Sequence, residues 1–161
     1  MNPYAKYLGD REPLDVIAKT PGELQRMAEQ LGAAGLARSL APGKWTARQI
    51  FCHLGDCEIA FGFRIRQALA EPDHVIQPFN QDEWARAYNS DSLSAAAAIE
   101  VFSVLRKWNL LLVNSLPQQV FSKPVTHPER GRMSFRTLIE TMAGHDLNHL
   151  AQLHTLAQNQ R

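Results

Sequence analysis

Cysteine is nearly absent from this 161-residue chain, which carries only Cys52 and Cys57. Five residues apart on a helix, the two point about 140° away from each other and are not expected to pair, so no disulfide framework holds the fold. Also missing is any apolar run near the roughly 18 residues that a membrane span needs, which excludes membrane insertion. Neither sign of charge dominates: 17 Lys and Arg face 16 Asp and Glu, and this balance gives no electrostatic case for nucleic acid or an anionic membrane as partner. The first ten residues lack the apolar core of a secretory signal, and the expected location is the cytoplasm. No β-alternation of useful length, no internal repeat and no low complexity beyond Ala95 to Ala98 interrupts this picture.

What is present is helical periodicity. A chain of this length with 45% hydrophobic residues makes one domain, residues 1–161, with a substantial core. Pro13, Leu14, Val16 and Ile17 predict a short helix ending before Pro21. Thr20, Pro21 and Glu23 then form a capping-box pattern that opens a second helix to about Leu31, which Gly32 and Gly35 weaken beyond that point. Thr46 and Gln49 make another capping box before a helix to about Ala70, with Ile50, His53, Cys57, Ala60, Phe61 and Arg64 along one stripe. An Ala-rich helix spans about Ser92 to Leu116, and Ser134 caps a last one reaching Gln158. Four main helices in one domain imply an all-α four-helix bundle. The connections from Pro72 to Ser90 and from Pro117 to Met133 exceed ordinary bundle loops, which places them over a site.

Two histidines one turn apart, His145 and His149, project from the same face of the last helix. They sit mid-stripe, with apolar Leu138 and Met142 on one side and Leu156 on the other. His53 occupies the apolar stripe of another helix, where an unpaired polar ring is costly to bury. The three together read as ligands of one divalent ion, zinc or nickel, with an open position for water or a thiol. Asp56, three residues from His53, and Gln152, three from His149, are the candidates to orient the nucleophile or a ligand. Cys57 reads as a small buried core residue, and Trp45, Phe79 and Trp84 as core aromatics. Arg130 and Arg132 read as a solvated charge run, and His74, His127 and His154 receive no role. A metalloprotease is disfavoured, because Asp146 stands where a general-base glutamate is required and no further ligand follows at the right spacing.

The turn Pro42-Gly43-Lys44-Trp45-Thr46, the segment Gln49-Ile50-Phe51-Cys52-His53-Leu54-Gly55-Asp56-Cys57-Glu58 and the run His145-Asp146-Leu147-Asn148-His149-Leu150-Ala151-Gln152 together resemble the DinB/YfiT-like superfamily. This is the damage-inducible metalloprotein family, not the DNA polymerase that shares the DinB name. The resemblance covers nearly the whole chain. It implies a four-helix bundle with His53, His145 and His149 as ligands of zinc or nickel. Further implications are homodimers and, by analogy with characterised members, transfer of low-molecular-weight thiols such as bacillithiol or mycothiol to a small-molecule substrate. Where relatives often carry Glu after the first histidine of the last helix, this chain has Asp146. The competing expectation is a noncatalytic module whose ion only stabilises the bundle or a dimer.

Overall fold

Three of the four long helices begin where the sequence supplies a side chain to satisfy their first amides, and the fourth begins on a proline, which has no amide hydrogen to satisfy. The computed structural model describes residues 2–159. Its elements in chain order are α1 (Ala5–Leu8), α2 (Pro13–Leu36), α3 (Ala47–Ala70), α4 (Gln81–Ala87), α5 (Ala95–Asn114), β1 (Pro124–His127), β2 (Gly131–Ser134) and α6 (Phe135–Gln158). At the start of α3 the Gln49 amide donates to Thr46 Oγ1 at 3.2 Å while the Thr46 amide donates to Gln49 Oε1 at 2.8 Å, the predicted reciprocal box. Ser134 caps α6 through the Thr137 amide. The start of α5 moves from the expected Ser92 to Ala95, because Ser90–Ser92 form a 3₁₀ turn and Ser94 takes the cap.

The first two predicted helices are one. Thr20 is no N-cap: α2 runs through Pro21, starting instead at Pro13 and kinking at Gly32, whose φ of 59° only glycine tolerates readily. Proline inside a helix deprives the carbonyl four residues back of its donor. That carbonyl is Ile17, and it is repaid from another helix, by Arg106 Nη1 at 2.9 Å. Tertiary packing therefore overrides a local stop signal.

In the bundle, α2 and α3 each pack against both α5 and α6 and stand diagonally across from one another. Apolar side chains divide into two clusters. One gathers Ile17, Phe61, Ile65, Val113, Leu138 and Met142, and the other Leu24, Ile50, Leu54, Phe102, Leu150 and Leu153. Between them on all four helices lies a buried polar waist: Thr20 on α2, His53 and Glu58 on α3, Arg106 and Asn109 on α5, and His145, Asp146 and His149 on α6. Among the described residues, no helix is long and apolar enough to cross a membrane.

The two long connections are stitched to each other. The Ile76 amide donates to the Thr126 carbonyl at 2.8 Å, and the Thr126 amide to the His74 carbonyl at 2.9 Å. The second connection contains the antiparallel hairpin β1–β2, paired from Pro124 with Ser134 to His127 with Gly131. It went unseen in the sequence because four-residue strands are too short to show an alternation.

Candidate metal centre

Three imidazoles converge at the waist. His53 Nε2 lies 3.1 Å from His145 Nε2, which lies 3.2 Å from His149 Nε2. Helix α3 contributes the first ring and α6 the other two, one turn apart. All three are buried. A fourth donor joins them, since Cys57 Sγ is 3.4 Å from His53 Nε2 and 3.8 Å from His145 Nε2. Among the described residues, His53, Cys57 and His145 form a cluster whose ligand atoms all lie within 4.8 Å of one another.

Burial holds the three rings neutral. It pushes His53 down to about 3, with help from nearby His149, and pushes His145 well below the ordinary range, where His149, His53, Arg106 and Arg64 act in the same direction. His149 is also lowered by burial, against the opposing pull of Gln152 and Asp146. Neutral rings have lone pairs to give. His149 Nδ1 is 3.0 Å from Gln152 Oε1; an N–H donated there leaves Nε2 as the free lone pair.

The donor set fits a divalent ion. His145 Nε2 faces two other ring nitrogens, and a single proton can serve only one of them, whereas one cation satisfies all three. Among the described residues His145 Nδ1 is buried with no hydrogen-bond partner, so no hydrogen bond at Nδ1 commits this ring to a different role. In a tetrahedron with metal–nitrogen bonds of about 2.0 Å, neighbouring nitrogens stand about 3.3 Å apart, and a sulfur stands about 3.6 Å from each nitrogen. The His53–His145 and His145–His149 nitrogen separations match the first value, and the Cys57 sulfur lies at 3.4 and 3.8 Å from the His53 and His145 nitrogens, around the second.

Access comes from one side. A cavity of about 150 Å³ reaches Cys57 and His145 and is lined further by Tyr4, Phe61, Arg64, Phe79, His127, Glu129, Arg130 and Thr141. Both long connections contribute to its wall, as the sequence predicted. Phe79 belongs to this wall and stacks on Trp84 at 4.5 Å. Trp84 itself is exposed, and Trp45 packs on the His53 ring at 4.6 Å.

A family model described as the DinB superfamily matches residues 17–153. The chain belongs to the DinB superfamily. A protein of Oceanobacillus iheyensis, provisionally named a metal-dependent hydrolase, is 29% identical over 91% of this chain and 85% of its own. One of Bacillus mycoides with the same provisional name is 27% identical over 88% of this chain and 82% of its own. Among solved structures, YfiT of Bacillus subtilis superposes with a TM-score of 0.85 at 21% identity, covering 91% of this chain and 85% of that one. It is described, provisionally, as a metal-dependent hydrolase with an unusual four-helix-bundle topology.

Within this DinB-superfamily bundle the remaining predicted site residues part company. Gln152 touches the histidine cluster through His149, as above. Asp56 bonds the Tyr88 hydroxyl and lines a separate groove with Cys52, Gly55, Ile59 and Val101. Burial raises its carboxyl, although the Tyr88 bond works the other way. Both cysteines are free and buried.

An ionic network escaped the sequence reading. Arg106, about 1% exposed, donates from Nε and Nη2 to Glu58 Oε2 at 3.0 and 2.7 Å, and from Nη1 to Asp146 Oδ2 at 2.6 Å. Asn109 Nδ2 donates to Glu58 Oε1 at 2.7 Å. Burial works against the guanidinium's charge, yet Asp146 and Glu58 raise its pKa further above the ordinary value. The network joins α3, α5 and α6 beside the histidines and ties α2 in through Ile17. Hydrophobicity alone favours Leu105 over its neighbour Arg106 as the inward residue of α5, yet it is Arg106 that is buried. The available signal was the buried register of Phe102, which sets Arg106 and Asn109 on the inward face.

Proposed function

We propose that this protein is a metal-dependent enzyme in which His53, His145 and His149 hold a divalent ion beside a small-molecule cavity. The observation that carries this reading is the contact of His145 Nε2 with both other ring nitrogens at 3.1–3.2 Å, at the end of a cavity that reaches the surface loops. An ion so held supplies Lewis-acid activation of a water or a low-molecular-weight thiol, for attack on an electrophilic substrate. The names of the relatives support hydrolysis as the reaction class. This chain's own residues do the rest: Gln152 orients His149, Arg106 fixes Asp146 beside His145, and Phe61, Phe79 and Tyr4 exclude water from the inner cavity. Zinc is the ion best matched to a small imidazole cluster with a sulfur beside it. A cytoplasmic setting accords with two free cysteines.

The test is elemental analysis of untagged wild-type protein and His53→Ala, followed by assay of the loaded enzyme on activated esters and amides, with and without added thiol. About one ion per chain, lost in the variant, and turnover that follows ion content support the proposal. A chain that binds no added zinc or nickel refutes it.

A second reading has its own observation. Cys57 Sγ stands 3.4–3.8 Å from the His53 and His145 ring nitrogens, and a thiolate ligand added to the imidazoles would make a closed structural site. Cobalt-loaded protein separates the two. A thiolate-to-cobalt charge-transfer band that Cys57→Ser removes marks the closed site, and its absence marks the open one.

For partner we infer a second copy of the chain. Ile59 and Phe63 on α3, and Val101, Val104, Trp108 and Leu111 on α5, are exposed, and the two stripes adjoin where Ile59 and Val101 line one groove. A contiguous apolar face of this kind marks an association surface. Sedimentation should give a dimer that Trp108→Glu dissociates; a wild-type monomer at assay concentrations refutes it.

A further inference from the structure

The cavity over the histidines carries two guanidinium groups and, among the described residues, no ion pair. Arg64, on the inward stripe of α3, donates from Nη2 to the Gln77 carbonyl at 3.0 Å and lies over the rings of Phe61 and Phe79 at 5.9 and 5.5 Å. That single bond occupies one of five N–H donors. Arg130, at the tip of the β1–β2 hairpin, makes no side-chain hydrogen bond or salt bridge among the described residues. Both line the cavity that ends on Cys57 and His145. Burial disfavours the protonated form of Arg64; Cys57 works the other way, and the Arg130 charge acts with burial. Glu129, the one carboxylate in the wall, makes no ion pair with either among the described residues.

A guanidinium with most of its N–H donors unbonded among the described residues, and a second one on the same wall, make this mouth positive and suited to an anion. Phe61, Pro78 and Phe79 give the wall one apolar side, while Gln81, His127 and Thr141 add neutral polar groups. The volume of about 150 Å³ is well below the roughly 300 Å³ at which drug-sized pockets begin. The ligand is accordingly small. We propose that the substrate is a small organic oxyanion, a carboxylate or phosphate on an apolar body, anchored at the mouth by Arg64 and Arg130. Its body lies along Phe61 and Phe79, and its reacting end points toward His145. This deepens the reading given under Proposed function and rests on it for the reaction, though not for the binding. The sequence classed Arg130 with Arg132 as a solvated run; the hairpin separates them, placing only Arg130 in the wall.

Calorimetric titration tests it, using benzoate, phenylphosphonate and the neutral isostere benzamide against chelator-treated and zinc-loaded protein. The variants are Arg64→Gln and Arg130→Gln, checked for folding by circular dichroism. Arg130 lies on an exposed turn, so its variant folds even if loss of the Arg64 stack disturbs α3. One of the two anions should bind the metal-free protein, and which one it is distinguishes carboxylate from phosphate chemistry. Benzamide should bind at least about 10-fold more weakly, and each arginine variant should lose about 10- to 100-fold, the worth of a charge-assisted hydrogen bond. Benzamide binding as well as the anions, no binding by any probe, or arginine variants of unchanged affinity would overturn the proposal. Anion binding to zinc-loaded protein alone, indifferent to both arginines, also overturns it while leaving the metal centre standing. Arginine-dependent binding in a chain that takes up no zinc upholds the anion site and removes the metal reading instead.

Discussion

Replacing Arg106 by methionine keeps an apolar stem in the place of the side chain's own and deletes its charge. Glu58 and Asp146 then remain at the waist, each about 1% exposed, without the cation that both contact at 2.6–3.0 Å. Removing one partner of a buried pair costs about 3–5 kcal/mol, because the uncompensated charge stays inside. The Ile17 carbonyl loses the Arg106 donor as well, a penalty of about 1–3 kcal/mol when nothing replaces it. The two do not add fully, since the helices relax, and about 3–5 kcal/mol is the expected total. Against an overall stability of about 5–15 kcal/mol this approaches unfolding. The assay is urea denaturation of wild type and variant, with a fall in Tm of about 6–20 °C as the parallel measure. Arg106→Lys, which keeps the charge but loses the planar fork, should fall between them. Neutralising both acids in the same background, Glu58→Gln with Asp146→Asn, should recover most of the loss. A loss under about 1 kcal/mol in Arg106→Met, or no recovery on neutralisation, would refute the account of the waist as a compensated ionic layer.

Other outcomes are fixed by the same geometry. Stability of the metal-free protein should fall as pH drops from about 6.5 toward about 3: in that window the unfolded chain takes up a proton that His53 refuses in the fold. Each such histidine contributes a slope of about 1.4 kcal/mol per pH unit, so urea midpoints that stay level from pH 6.5 to 4.5 would contradict its burial. Gln152→Leu deletes the partner of His149 Nδ1 and should weaken zinc binding by about 10- to 100-fold in competition with a chelator, the usual effect of losing such support; unchanged affinity would mean the bond does not orient the ring. Gly144→Ala puts a Cβ 2.7 Å from the Tyr4 carbonyl oxygen and should cost about 1–3 kcal/mol as α1 is pushed off α6, measured by the same denaturation; a neutral result would show that α1 yields freely.

Helix existence and the inward-facing positions of His53, His145 and His149 were legible because both are local properties. Caps at Thr46 and Ser134 and the spacing of His145 and His149 depend on backbone geometry that neighbouring residues specify by themselves, and the apolar company of His53 told which way it faced. Pro21 was misread for the complementary reason: its cost as a helix residue is real, but the repayment at Ile17 comes from Arg106, 89 residues away. Cys57 shows the same limit, since a thiol on an apolar stripe is an ordinary core residue until two imidazoles from different helices arrive beside it. The sequence by itself determined an all-α bundle of four main helices and a histidine face pointing inward, since periods of 3.6 residues and capping bonds act within a few residues along the chain. Only the tertiary structure decided that α2 is continuous, that Asp56 turns to Tyr88 while Arg106 turns inward, and that Arg64 and Arg130 share one cavity, because those outcomes rest on side-chain contacts between distant segments.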